Sequence, residues 1–323
     1  MQLIPQTETK LKTRLAPTPS GYLHLGNVLS FAITWALVRK RQGILALRID
    51  DLDNVRFRPE YLQDIFDTLD FMGIDYDEGP RNAKDFEQHY SQHLRLPAYR
   101  ALLDKLVQQN MVYACPCSRS QIAAASPQSL YPFTCREKQL ALHTAGAAWR
   151  ARVPFNTSVT LKDSILGNCT IKLDQVMPDF IVRRKDGILA YQIASLSDDI
   201  SMGINLIVRG QDLLQSTAAQ LFLATQTGAA SFAKTQFVHH PVLCTTSGSK
   251  LSKSDDALSV SEMRKAGLTQ EALWIKLARI LGWKDAGITT AQEFLDRFTL
   301  QDLPLQLPPA IKRDNVYPHP VHP

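Results

Sequence analysis

The sequence lacks any run of about 18 apolar residues, which a membrane-spanning helix needs, and its N-terminus has no signal-peptide pattern. Cysteine is scarce and odd in number, with five among 323 residues. This count argues against a disulfide framework and for reduced thiols in the cytoplasm. The chain also has no internal repeat and no low-complexity tract, and its net charge of +5 permits a polyanionic partner without requiring one.

Residues 13–27 predict a strand, a turn and a helix. An apolar start is broken by two prolines and a glycine, after which apolar residues recur at helical spacing as far as Arg39. This pattern places His24 and Gly26 in the first helical turn, where free backbone N–H groups and the positive end of the helix dipole attract anions. Gly26 would let a phosphate chain approach closely. Taken alone, the pattern also fits an ordinary strand-turn-helix unit with one exposed histidine.

A cluster of carboxylates follows residues 44–49, which predict a buried parallel strand. The cluster consists of Asp50, Asp51 and Asp53. In open α/β sheets, ligands bind beyond the carboxyl ends of the strands, so we expect these acids to face a crevice. A solvated acidic turn is the alternative.

Three cysteines indicate a metal site. Cys115 and Cys117 are separated by one residue, and Cys135 follows later in the chain. Thiolates favour zinc, which takes four ligands in structural sites. The spacing supplies only three, so buried free thiols remain the alternative at this point. Cys169 and Cys244 stand apart and are predicted to be packed core thiols.

Two stretches together resemble a known family. The first reads Arg-x-Ala-Pro-x-Pro-x-Gly-x-Leu-His-x-Gly over residues 14–26, and the second reads Lys-Leu-Ser-Lys-Ser over residues 250–254. They resemble the two signature motifs of class I aminoacyl-tRNA synthetases, and the long first motif is similar to that of the glutamyl/glutaminyl branch. The pattern Cys-x-Cys followed by Tyr-x-x-x-Cys resembles the zinc module of the glutamyl-queuosine tRNA(Asp) synthetases. The resemblance covers about residues 10–300.

The resemblance implies an α/β fold with a doubly wound parallel sheet of the Rossmann-like, class I synthetase type. We expect residues 1–110 to form the first half of the catalytic domain and residues 191–255 the second half, with the Lys-Leu-Ser-Lys-Ser loop. Residues 111–190 would form an inserted zinc-binding, acceptor-end subdomain, and residues 256–323 a helical extension with a disordered tail. Full-length glutamyl enzymes carry a further anticodon-binding region, which we expect to be absent here.

The resemblance also assigns site residues. The groups implied in catalysis are His24, Gly26, Lys250 and Lys253. The implied ATP-binding set is Thr18, Pro19, His24, Gly26, Asn27, Asp212, Lys250, Leu251, Ser252 and Lys253. The implied glutamate-binding set is Arg14, Ala16, Thr18, Asp50, Tyr191 and Arg209, although Asp50 stands where the family has the longer Glu. The implied ligands of one structural zinc ion are Cys115, Cys117, Tyr131 and Cys135.

The activity that the resemblance implies is ATP-dependent activation of L-glutamate, with Mg²⁺ accompanying ATP, and transfer of the glutamyl group to queuosine in tRNA(Asp). We expect a cytoplasmic monomer. Three alternatives stay open. They are a truncated glutamyl-tRNA synthetase that charges a tRNA 3′ end, a small-molecule nucleotidyltransferase that needs no glutamate clamp, and a catalytically silent tRNA-binding paralogue, for which Asp50 is the supporting feature.

Overall fold

The protein is seen in a computed structural model that describes residues 10–126, 128, 130–242, 258–283 and 287–303. The strands are β1 (Lys12–Leu15), β2 (Ile44–Leu47), β3 (Val112–Cys115), β4 (Ala148–Ala151), β5 (Ser158–Asp163), β6 (Gly167–Lys172), β7 (Ile181–Arg183), β8 (Leu206–Gly210) and β9 (Gln236–His240). The helices are α1 (Leu25–Arg39), α2 (Pro59–Met72), α3 (Ala83–Asp85), α4 (Leu96–Gln108), α5 (Arg119–Ala125), α6 (Leu173–Val176), α7 (Tyr191–Ser201), α8 (Leu214–Gln226), α9 (Ala230–Ala233), α10 (Val260–Lys265), α11 (Gln270–Ile280) and α12 (Ala291–Arg297).

The first helix follows directly from its local sequence. His24 is the N-cap residue rather than part of the first turn: its Nδ1 accepts from the backbone N–H of Gly26, while the Asn27 side chain accepts from the His24 N–H. This reciprocal pair is a capping box, which satisfies two backbone donors at the helix start. Helix α1 is apolar nearly all round and is buried between the sheet and the C-terminal helices.

The strands that position the site are parallel. β1 pairs with β2, and β8 pairs with β9. Asn205 joins the two pairs, since its side chain accepts from the Lys12 N–H at 2.7 Å and its N–H donates to the Lys12 carbonyl at 3.1 Å. From β1 the chain continues to β2 on one side, and from β8 it continues to β9 on the other. The doubly wound α/β fold predicted from the sequence is therefore confirmed.

The middle of the chain adds two further pieces of sheet. β3, β4 and β7 form an antiparallel sheet. Apolar side chains of these strands pack with those of α4, α7 and α8 in a second hydrophobic core. β5 and β6 form a hairpin whose end is joined to β9, so this hairpin extends the parallel sheet. The four-part domain division stays a prediction.

The C-terminal helices pack on the first half of the chain. The indole N–H of Trp274 donates to the carbonyl of Met72 at the end of α2, and the ring packs against Phe294. No helix within the described residues is long and apolar enough to span a membrane. The loop with Lys250, Leu251, Ser252 and Lys253, the thiol of Cys244 and the tail from residue 304 lie outside the described residues.

Gly79 marks a tight approach at the edge of the sheet. Its φ is +118°, and a Cβ there would lie 2.4 Å from the carbonyl oxygen of Leu47. We expect Gly79→Ala to lower the free energy of unfolding by roughly 3 kcal/mol or more, because it adds steric overlap to an unfavourable φ. Gly203→Ala is the matched control, since its φ is +67° and open space surrounds it. That change should cost only about 1 kcal/mol in urea unfolding, and equal costs would contradict the packing.

Candidate active site at the sheet switch point

A cavity of about 330 Å³ lies where β1 and β8 end side by side. Ligands in open α/β sheets bind at this kind of crevice, beyond the carboxyl ends of strands that continue in opposite directions. Of the predicted binding residues, the cavity is lined by Arg14, Ala16, Thr18, His24, Gly26, Asn27, Tyr191, Arg209 and Asp212. The fold thus brings together residues separated by nearly two hundred positions.

The α1 N-terminus presents the His24 imidazole to this cavity, and its first backbone N–H groups are engaged within the cap, since the Asn27 N–H also donates to the His24 carbonyl at 2.9 Å. Because Nδ1 of His24 accepts the Gly26 N–H at 3.1 Å, the neutral ring carries its proton on Nε2. A Cβ at Gly26 would lie 2.9 Å from Cε1 of His24, so a larger residue there would displace the ring from its capping position. The helix start thus brings the His24 ring and the positive end of the helix dipole to the cavity wall, which favours an anion.

Arg209 is a buried cation whose hydrogen-bond partners among the described residues are all neutral. Its Nη1 donates to the Tyr191 hydroxyl at 3.2 Å, and its Nη2 donates to Thr217 Oγ1 and Gln220 Oε1, each at 2.7 Å. Its Nε is buried without a partner, and burial lowers the pKa of its guanidinium. No carboxylate among the described residues forms an ion pair with it. A buried, unpaired charge is costly, so this arrangement is suited to binding an anionic ligand.

The neighbouring arginines are, in contrast, fully paired. Asp199 accepts from Nε of Arg14 at 2.8 Å and from Nη1 of Arg48 at 2.7 Å, and all three side chains are buried. Arg48 also pairs with Asp50 at 2.7 Å, and Arg95 pairs with Asp198 at 2.7 Å. Burial raises the pKa of Asp199, but Arg14 and Arg48 outweigh it and hold that pKa below its ordinary value.

Asp50 does not line the cavity that holds His24 and Arg209. It lines an adjoining cavity of about 600 Å³, and Thr18 and Tyr191 line both cavities. Besides pairing with Arg48, its carboxylate accepts from the Gln92 amide at 3.3 Å. Burial raises the pKa of Asp50, which Arg48 opposes.

The three predicted metal-binding cysteines converge. The sulfur atoms of Cys115, Cys117 and Cys135 lie within 4.8 Å of one another, so they can hold a metal ion. Burial raises the pKa of the Cys115 thiol, but hydrogen bonds from Tyr131 and Arg150 outweigh this and lower the pKa to about 7. Burial and the neighbouring thiols raise the pKa of Cys117 to about 11. A cation among the three would allow all of them to ionise.

Tyr131 lies in the same cluster. Its hydroxyl accepts from the backbone N–H of Cys135 at 2.9 Å, and the Arg150 guanidinium lies 3.7 Å from the centre of its ring. Tyr131 and Arg150 are buried, so a positive charge adjoins the sulfur cluster. The residues fit a metal that accepts thiolate and phenol ligands.

The sequence interpretation missed several residues that shape the site, namely Arg48, Asp198, Thr217, Gln220 and His239. The signal that could have found them was a charged or polar residue within an otherwise apolar stretch. Arg48, which stands between the buried residues Leu47 and Ile49, is an example. Pairing between them depends on contacts from distant parts of the chain, which local patterns do not specify.

Comparison with known proteins defines the class. The fold resembles a glutamate tRNA ligase from Elizabethkingia meningosepticum solved with its amino acid, with a TM-score of 0.72 at 22% identity over 91% of this chain and 66% of that one. The family model for the catalytic domain of class I tRNA synthetases (E and Q) matches residues 10–310. The chain therefore belongs to this family of class I synthetases.

Two curated relatives refine the comparison. A glutamate–tRNA ligase from Syntrophotalea carbinolica is 33% identical over 304 residues, which cover 91% of this chain and 62% of the relative. A glutamyl-Q tRNA(Asp) synthetase from Nitratidesulfovibrio vulgaris is 34% identical over 284 residues, which cover 84% of this chain and 86% of the relative. The chain thus spans less than two thirds of the length of the first relative.

Asp199→Asn tests the buried pairing. Removing the charge leaves two buried arginines short of a counterion, so we expect a loss of about 3–5 kcal/mol in unfolding free energy at pH 7. Because the folded-state pKa of Asp199 is depressed, its stabilisation is present above about pH 4 and is lost as the pH falls further. The difference between wild type and variant should accordingly shrink in acid.

Asp75→Asn is the control for this measurement, since Asp75 pairs with Arg39 at 2.8 Å while 69% of its side chain is exposed. Its cost in urea unfolding should stay below about 1 kcal/mol. A cost for Asp199→Asn as small as the control would contradict the pairing.

Proposed function

We propose that the protein activates L-glutamate with ATP and transfers the glutamyl group to queuosine in tRNA(Asp). The observation that carries the first half is Arg209, a buried guanidinium that lines the cavity and has only neutral partners among the described residues. The glutamate side-chain carboxylate supplies the missing negative charge. Tyr191 accepts from Arg209 and lines both cavities, and Asp50 in the adjoining cavity would accept from the substrate ammonium.

ATP would bind at the start of α1, with its phosphates towards His24, Gly26 and the positive end of the helix dipole. Asn27, Asp212, Thr18 and Pro19 complete the proposed nucleotide site. Mg²⁺ accompanies ATP and offsets its phosphate charge. Two further described residues lie at this part of the cavity: Val242 lines it, and the N–H of Val260 donates to the carbonyl of the lining residue Leu23. Lys250, Leu251, Ser252 and Lys253 belong to the proposed nucleotide site by resemblance.

The proposed reaction has two steps. An oxygen of the glutamate α-carboxylate attacks the α-phosphorus of ATP, which forms glutamyl-adenylate and releases pyrophosphate. A hydroxyl of the queuosine cyclopentenediol then attacks the activated carbonyl, forms an ester and releases AMP. Donors at the α1 N-terminus, with Lys250 and Lys253, would stabilise the charge that develops on the phosphates. No protein nucleophile is required.

The queuosine acceptor is supported by two observations. The relative matched over 86% of its own length is named glutamyl-Q tRNA(Asp) synthetase. The cysteine and tyrosine pattern of this chain resembles that group's zinc module, and its three sulfur atoms do converge. The glutamate–tRNA ligase relative, matched over 91% of this chain, favours a second candidate function, namely charging of a tRNA 3′ end.

A transfer assay decides between the acceptors. The protein, ATP, Mg²⁺ and labelled glutamate are offered tRNA(Asp) with queuosine, the same tRNA without queuosine, and tRNA(Glu). We expect label only on queuosine-bearing tRNA(Asp), in a linkage that survives removal of the 3′ adenosine. An Arg209→Gln variant should lose the label, because an amide leaves the glutamate carboxylate without a cation.

Label on the 3′ end of tRNA(Glu) would instead establish the second candidate. The absence of label on every tRNA, together with no glutamate-dependent exchange of pyrophosphate into ATP, would contradict both and favour a silent RNA-binding protein.

We further propose that Cys115, Cys117, Tyr131 and Cys135 hold one zinc ion. The three sulfur atoms and the buried phenol provide four ligands, which is the number that structural zinc sites use. With all four positions taken by protein, the ion would stabilise the fold around β3 and α5 and leave no site for chemistry. The nearby guanidinium of Arg150 would offset the negative charge of the thiolates.

Metal analysis of the purified protein tests this proposal. We expect about one zinc ion per chain, lost on Cys117→Ser or Cys135→Ser and accompanied by a lower unfolding midpoint. Cys169→Ser is the control, since Cys169 is buried outside the cluster and should leave the zinc content unchanged. Zinc retained after loss of two cluster cysteines, or absent from the wild type, would contradict it.

A further inference from the structure

A buried chain of hydrogen bonds runs behind Arg209, away from the cavity. Thr217 Oγ1 lies 2.7 Å from Nη2 of Arg209 and 2.6 Å from Nε2 of His239. Nδ1 of His239 lies 2.7 Å from Oδ2 of Asp163. All four side chains are buried, and they come from β8, α8, β9 and the end of β5. No step of the proposed reaction uses His239 or Asp163.

The donors and acceptors in this chain have a single consistent direction. The Asp163 carboxylate can only accept, so Nδ1 of His239 carries a proton and donates to it. Burial lowers the pKa of His239, although Asp163 opposes the effect, so the ring is neutral and its Nε2 is an acceptor. The Thr217 hydroxyl therefore donates to Nε2 at 2.6 Å, which is closer than the Leu213 carbonyl at 3.2 Å, and its oxygen accepts from Arg209.

Asp163 itself is firmly held. Its Oδ1 accepts from the backbone N–H groups of Ile165 and Leu166, each at 2.8 Å, and its Oδ2 accepts from the backbone N–H of His239 at 2.9 Å. The His239 ring is stacked on Phe237 at an interplanar angle of 19°. These contacts hold the His239 ring in one orientation, so its Nε2 faces the Thr217 hydroxyl in a fixed position.

We propose that His239, acting through Thr217, is a positioning residue that orients Arg209 for the substrate carboxylate without neutralising it. The inference rests on the proposed glutamate-binding role of Arg209. A carboxylate in direct contact with Arg209 would satisfy its charge and compete with the ligand. The neutral side chains of His239 and Thr217 instead link Asp163 to the guanidinium and hold its orientation, while the positive charge remains available at the cavity.

The test is calorimetric binding of L-glutamate and, separately, of MgATP to the full chain. Thr217→Val keeps the side-chain shape and removes the hydroxyl with its contacts to Arg209, His239 and the Leu213 carbonyl, so we expect glutamate affinity to fall about tenfold or more. His239→Leu should have a similar effect. MgATP affinity should change by less than about twofold, because the residues at the start of α1 are untouched.

Conservative variants and a control separate positioning from packing. Thr217→Ser and His239→Gln keep an oxygen or acceptor at the critical position and should recover most of the lost affinity. Thr227→Val removes a buried hydroxyl that donates to the Leu223 carbonyl at the end of the same helix. This hydroxyl is not part of the hydrogen-bond chain that reaches Arg209. It should bind glutamate as the wild type does.

The outcomes are distinct. If the wild type binds glutamate and Thr217→Val binds it equally well, the positioning role is overturned while the proposed function stands. Equal losses of glutamate and MgATP affinity would also overturn it, since they indicate general distortion. If the wild type binds no glutamate, the proposed function fails and the inference fails with it. Should His239→Leu not fold, the Thr217 pair still decides.

Discussion

The structure depends on one buried carboxylate, that of Asp199 in α7. It accepts from Arg14, in β1, and from Arg48, which follows β2, and so ties α7 to two parallel strands from the beginning of the chain. Asp50 and Asp198 complete the set, with Arg48 and Arg95 as their partners. Removal of any one of these buried charges is strongly destabilising, because it leaves its partner charged, buried and without water to solvate it.

The pairing also distinguishes the arginines of the site. Arg14 is engaged by Asp199, whereas Arg209 has only a phenol, a hydroxyl and an amide as partners within the part of the chain that the structure describes. The His24 ring and the positive end of the α1 dipole line the same cavity. One cavity therefore offers a buried cation suited to a carboxylate and a helix N-terminus suited to phosphates, which are the two anions that an amino-acid-activating enzyme must bind together.

Much of this arrangement could be predicted from the sequence, because the relevant signals are local. The capped helix after β1 follows from residues 23–27, and the doubly wound sheet follows from apolar strands alternating with helices. The convergence of the cysteines was predicted from spacing, and the structure brings the sulfur atoms together. The sequence did not predict that Asp50 pairs with Arg48 and lines a second cavity. The wall of that cavity comes largely from the middle of the chain, which local patterns around Asp50 do not reveal. The relay from Asp163 to Arg209 joins four elements, and no pattern within any one of them reveals it.

The most direct test of the central claim is a crystal structure of the protein with L-glutamate. The account predicts that the side-chain carboxylate lies within about 3 Å of the Arg209 guanidinium, with the Asp199 pairs unchanged. Glutamate bound elsewhere, or a carboxylate held by Arg14 after release from Asp199, would contradict it.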